Sequence, residues 1–169
     1  DGDGQGYCKV CVAGSKTDTG AGAGAKACTA CGAGKYSTAS NVASCTGCAA
    51  GSITNKGSLP GASSCTACAV GKYSTASNVD ECSGCASGKY ADDTGQTACK
   101  PCVVGKKQAD GGKASCDVCR AGKYQPLAAA TKCNDCTTGY YSSALATKCS
   151  LCADGKHSGQ SASVCNDCP

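Results

Sequence analysis

Twenty cysteines stand in ten Cys-x-x-Cys pairs: Cys8/Cys11, Cys28/Cys31, Cys45/Cys48, Cys65/Cys68, Cys82/Cys85, Cys99/Cys102, Cys116/Cys119, Cys133/Cys136, Cys149/Cys152 and Cys165/Cys168. No thiol lies outside the pattern. Sulfur at this spacing suits four chemistries: covalent haem attachment, thioredoxin-type exchange, zinc ribbon ligation and disulfide crosslinking. Haem attachment needs histidine directly after the pair, and none of the ten has it. Thioredoxin-type exchange needs a βαβ setting, which the sequence does not offer. Zinc ribbons separate their two pairs by about 15–20 residues, and the gaps here, 12 to 16 residues, reach into that range. Ribbons, however, join motifs two by two, so gaps within and between sites should differ, whereas the later gaps here are nearly uniform. Disulfides are therefore favoured, and a zinc-binding array is the lesser alternative.

Composition points the same way. Cysteine is 20 of 169 residues; Phe, Trp and Met are absent, and there are only four Leu, one Ile and nine Val. Backbone ordering costs roughly 1–2 kcal/mol per residue, and so few large apolar side chains cannot offset it. Covalent staples have to supply the order. The expected fold is a small disulfide-rich one: an elongated rod of tandem modules of 16–20 residues, made of short strands and turns, without a substantial hydrophobic core. Such staples persist in oxidising compartments, so an extracellular or cell-surface address is expected. No apolar run approaches the ~18 residues of a membrane span. Cys8 has no motif before it and Pro169 directly follows Cys168, so the reading is of an excerpted ectodomain with further repeats beyond it.

The net charge of +4 comes from lysines scattered one by one, with no Arg/Lys run and no interleaved aromatics. That excludes a nucleic-acid surface of the usual kind and reads as a solvated face, with weak attraction to polyanionic glycans as the other reading. His157 is the only histidine, and no paired carboxylates or nucleophile elbow are present, so no enzyme activity, cofactor or metal is expected. The stretch DGDGQG, Asp1 to Gly6, opens like a calcium loop, yet position twelve is Val12 where a bidentate Glu belongs, and it reads as a frayed end. No Asn heads an N-x-S/T triplet. Ser37, Thr38, Ser74, Thr75, Ser142 and Ser143 are candidate O-glycan acceptors on exposed loops.

The elements that must position these cysteines are repeats. First cysteines step by 20, 17, 20, 17, 17, 17, 17, 16 and 16 residues, and GKYSTASNV recurs at Gly34 and at Gly71, marking a duplicated two-module unit. Modules thus begin near residues 8, 28, 45, 65, 82, 99, 116, 133, 149 and 165, in one continuous array over 1–169. Three residues after each second cysteine stands glycine, from Gly14 to Gly155, nine times in nine complete modules. Such regularity implies a position that needs positive φ or has no room for Cβ. Two residues later come Tyr36, Tyr73, Tyr90, Tyr124 and Tyr141, read as the module's large packing residue against the cystine, with a ligand-binding aromatic row as the alternative. The insertions before Cys28 and Cys65 should bulge at the surface.

The C-x-x-C-x-x-G-x-Y-S spacing resembles the cysteine-rich repeats of ephrin-receptor-like and tumour-necrosis-factor-receptor-like ectodomains. It is also similar to CxxC arrays of protist and algal surface proteins, including flagellar-hair (mastigoneme-type) proteins. In the receptor module the cysteine before the glycine pairs with the first of the next pair. The resemblance thus implies Cys31–Cys45, Cys68–Cys82, Cys85–Cys99 and Cys119–Cys133, and extended along the array it implies Cys11–Cys28, Cys48–Cys65, Cys102–Cys116, Cys136–Cys149 and Cys152–Cys165 as well. Near-identical tandem units favour a structural role, the repeat protomer of an extracellular coat, stalk or filament that associates with itself. A receptor ectodomain binding a protein ligand is the alternative.

Overall fold

The computed structural model describes residues 10–19 and 25–169; Cys8, the Asp1–Gly6 stretch and part of the first insertion lie outside the described residues. No helix occurs among the described residues, and every strand is two or three residues long. Nine two-stranded sheets result, each pairing a strand with the next one in sequence. The rungs repeat with the modules: Lys35 and Tyr36 face Gly47 and Thr46, Lys89 and Tyr90 face Pro101 and Lys100, and Lys123 and Tyr124 face Asp135 and Asn134, all antiparallel. In each case the Gly-Lys-Tyr strand leaving one cysteine pair meets the two residues between the cysteines of the next pair. Sheets this small do not stand alone in water. A covalent bond closes each one.

Nine disulfides do so: Cys11–Cys28, Cys31–Cys45, Cys48–Cys65, Cys68–Cys82, Cys85–Cys99, Cys102–Cys116, Cys119–Cys133, Cys136–Cys149 and Cys152–Cys165. Each joins the second cysteine of one pair to the first of the next, closing loops with sequence separations of 13 to 17. By loop-closure entropy each contributes about 3 kcal/mol, without simple additivity. Cys168 is free and exposed.

The chain forms two compact units, one of Asp1–Ala69, Tyr73–Ser83 and Thr94–Ala98, the other of Val70–Lys72, Gly84–Asp93 and Cys99–Pro169. The same packing runs through both. In the first unit the Gly14 N–H donates to Ser37 O, the Asn41 N–H to Cys11 O and the Cys31 N–H to Gly14 O. In the second, Gly105 N–H donates to Gln125 O, Ala129 N–H to Cys102 O and Cys119 N–H to Gly105 O. Consecutive modules are thus tied backbone to backbone, by the same atoms at each step. Contact also reaches two modules on. A Cβ at Gly34 would collide with Asn78 O, and one at Gly88 with Ala129 O. Both glycines hold positive φ, 72° and 79°. The position therefore needs glycine twice over, for its backbone conformation and for the carbonyl packed against it.

The core is cystine and little else. The second cysteines from Cys11 to Cys136 are at most 2% exposed, with Ala25, Ala62 and Ala91 the other buried apolar residues. The residue after each tyrosine position is buried in every module: Thr17, Ser37, Thr54, Ser74, Ala91, Gln108, Gln125, Ser142 and Ser158. The tyrosines at Tyr36, Tyr73, Tyr90, Tyr124 and Tyr141 are only half-buried. With little room beside a disulfide and a backbone carbonyl, it is the small neighbour that is fully enclosed, while the ring is half in and half out. Nor does the second insertion bulge throughout, because its end turns in. Ala62 is buried, and the Gly61 N–H donates to Cys31 O.

Candidate functional site

Eighteen cysteine sulfurs are committed to S–S bonds, and a sulfur so bonded has no thiolate to offer a metal. Among the described residues no group of three or more His, Cys, Asp or Glu side chains is gathered as metal ligands. His157 lies exposed on its strand opposite Asn166. The chemistry of this molecule resides in two features: the buried column beside the disulfides, and a series of surface depressions that repeats with the modules.

In the column, polar side chains replace the apolar core a larger domain would have. Ser37 Oγ accepts from the Gly14 N–H (2.8 Å) and donates to Ser15 O (3.1 Å). Ser142 Oγ donates to Lys123 O (3.0 Å) and Ser158 Oγ to Tyr140 O (2.9 Å), the same position of the preceding module each time. Where glutamine takes the place, it spans its own loop instead. Gln108 Nε2 donates to Ser115 O and Gln125 Nε2 to Lys132 O, both at 2.7 Å, while the Leu127 N–H donates to Gln125 Oε1. No buried side-chain nitrogen or oxygen among the described residues lacks a partner, as a buried polar column requires.

The column corrects one expectation about glycan acceptors. Ser37, Ser74 and Ser142 are not on exposed loops: they are 4%, 4% and 3% exposed. Their hydroxyls are spent on Ser15 O, Ala76 O and Lys123 O. Their sequence neighbours Thr38, Thr75 and Ser143 are exposed. The strands end at Tyr36, Tyr73 and Tyr141, so each pair lies where the chain leaves its strand, the serine turned in to its backbone acceptor and the next residue out. Sequence alone signalled it weakly, through the small or polar residue that follows the tyrosine position in every module.

The depressions lie beside the strand pairs. One is lined by Lys16, Ala30, Lys35 and Cys45, and one by Tyr90, Val103, Lys106 and Cys116. Another is lined by Tyr124, Thr137, Tyr140 and Cys149. The largest of these four, about 730 Å³, is lined by Lys107, Asp117, Arg120, Lys123 and Lys132 among others. All four occupy equivalent places between consecutive modules. Three acidic groups near them are tied down: Asp92 by Lys100 at 2.7 Å, Asp117 by Lys107 at 3.5 Å and Asp135 by Lys123 at 2.6 Å. The Lys100 ammonium holds the Asp92 carboxyl below the usual carboxylate range, and the same hydrogen bond raises Lys100. Asp135 is likewise lowered, first by Lys123 and then by the Ser161 hydroxyl.

Disulfide-closed two-stranded modules in tandem make this a cysteine-rich repeat protein, and nine disulfides fit an oxidising, extracellular or secreted, setting. Among the described residues no helix is long and apolar enough to cross a membrane. A scan of the chain against protein-family models and a search of curated proteins each return no match.

Proposed function

We propose that the chain is an extracellular structural protein, the repeat protomer of a surface coat, stalk or filament that associates with itself. The observation that carries this reading is the register of the contacts. Each module gives the same backbone N–H and C=O groups to the next and the same glycine seat to the one after, in both compact units. A contact that repeats in this way has no built-in last step, and it adds modules without changing its geometry. Exposed apolar side chains are few and scattered, among them Val70, Val103, Val104, Leu127 and Leu151. Lateral association then rests on many weak repeated contacts, with O-glycans at Thr38, Thr75 and Ser143 as a sheath.

Light scattering and electron microscopy of oxidised protein at micromolar concentration test the proposal. Fibres or ordered coats are expected. A monodisperse monomer that binds a soluble protein ligand tightly would overturn it in favour of a receptor ectodomain.

A further inference from the structure

The four depressions form an internal comparison, since the fold repeats the same place with different residues. The one between the modules that begin at Cys99 and Cys116 departs from the other three in its arginine and in the number of its cations, although the first depression also has lysines, Lys16 and Lys35, at the places of Lys107 and Lys123. Lys107 stands where the depressions nearer the middle and end of the chain have Tyr90 and Tyr124, and Arg120 stands where they have Val103 and Thr137. Lys132 and Lys123 complete a lining with four cations and one carboxylate, Asp117. Arg120 is the only arginine in the chain. The sequence disperses these cations over 26 positions, so no run of charge is visible in it. The fold gathers them. It also separates charge on a larger scale: the unit holding this depression has eleven Lys and Arg against seven Asp, while the other has five Lys against five acids.

The cations are not all spent. Lys123 is held by Asp135 at 2.6 Å and Lys107 by Asp117 at a longer 3.5 Å. Arg120 and Lys132 have no side-chain hydrogen bond or ion pair among the described residues, and each is exposed. Two uncommitted cations, two more beside them and the Thr131 hydroxyl thus border one open depression of about 730 Å³. The guanidinium presents a planar fork that matches a sulfate or carboxylate, while lysines supply point charge around it. No aromatic ring lines the depression, so bases of a single-stranded nucleic acid find nothing to stack on.

We propose that this depression binds a polyanionic polysaccharide, a chain bearing sulfate or uronate groups, of the kind met outside cells. The site is independent of self-assembly, since it is complete within consecutive modules of one unit. Its position on a repeat array would anchor the protein to a charged matrix at one module in each copy.

The test is titration calorimetry of the oxidised chain with a heparin-derived octasaccharide, against maltooctaose as the neutral chain of equal length. Two double variants are compared. Arg120→Ser with Lys132→Ser removes the uncommitted cations, and Lys35→Ser with Lys148→Ser removes the same charge from the equivalent depressions elsewhere. Heparin octasaccharide is expected to bind, and the first variant to lose about tenfold or more while the second loses about twofold or less, because short-range pairs outweigh screened net charge. Maltooctaose is expected not to bind. Equal losses in the two variants would reduce the effect to net charge and overturn the site. Failure of the heparin octasaccharide to bind overturns it too. So would a single-stranded oligonucleotide of matched charge binding as tightly as the octasaccharide. Far-ultraviolet spectra and free-thiol counts of both variants confirm that the ladder is intact, so a loss of affinity is not a loss of fold.

Discussion

At seven of the nine modules, from Gly14 to Gly122, two independent demands meet at the glycine three places after the second cysteine. At Gly88 the backbone sits at φ 79° and the carbonyl of Ala129 occupies the place of a side chain. At Gly155 φ is 77°, but a Cβ meets nothing within 4 Å. The two positions therefore separate conformation from packing. Gly155→Ala is expected to cost only the left-handed conformation, about 1–2 kcal/mol. Gly88→Ala adds a backbone collision that no rotamer change relieves, so its unfolding temperature should fall well below that of Gly155→Ala. Thermal unfolding of the two oxidised variants measures this, and equal losses would mean that the seat two modules away contributes nothing.

At the scale of the element, a strand of two residues has only one or two rungs, so side chains across it matter more than in a long sheet. Lys123 faces Asp135 and Lys156 faces Asp167, each pair closing to 2.6 or 2.7 Å. These pairs are solvent-exposed, and such bridges contribute little stability. Their effect shows in titration. Asp135 is held below the ordinary carboxylate value by Lys123 first and by the Ser161 hydroxyl second. A carboxyl lowered in the folded state contributes above its unfolded value and loses that contribution as pH falls through the lower folded one. The pH dependence thus lies on the acid side, below the usual Asp range, and stability near neutral pH should not change through this group. Carboxyl-detected NMR titration should find Asp135 shifted toward its ordinary value in Lys123→Ala. An unchanged titration would remove Lys123 as the cause.

For the whole molecule, order rests on covalent bonds because buried apolar surface is scarce. Among the described residues the interior consists of eight nearly inaccessible cysteines, three alanines and a column of hydroxyls and amides, each hydrogen-bonded only while the loops stay in register. Removing the disulfides removes the restraint on every loop at once, and the polar column has no preference for the folded state once water can reach it. Reduction at neutral pH is therefore expected to abolish the near-native amide exchange protection throughout, whereas EDTA without reductant should leave it unchanged. Protection lost in EDTA alone would reverse the assignment of the cysteines to disulfides.

Much of the architecture is written in local features of the chain, and these are what the sequence by itself determined. Ten CxxC pairs, a missing apolar core and a glycine at fixed phase specify a disulfide-rich array of short strands and turns, since composition and spacing decide what can be buried and where the chain must turn. Which cysteine meets which was an implication of resemblance, because uniform spacing alone permits several pairings. Three things were decided only by tertiary structure. Full burial fell on Ser37, Ser74 and Ser142 while their tyrosine neighbours are half-buried, because the space left beside a cystine is small and backbone carbonyls accept the hydroxyls, from the preceding module at Ser37 and Ser142 and from its own loop at Ser74. The glycines met carbonyls some 40 residues away, as Gly88 meets Ala129, because each module packs on the second one after it. Lys107, Arg120, Lys123 and Lys132 converged on one depression, because stacking brings the same phase of successive modules side by side, and distance along the chain then no longer measures distance in space.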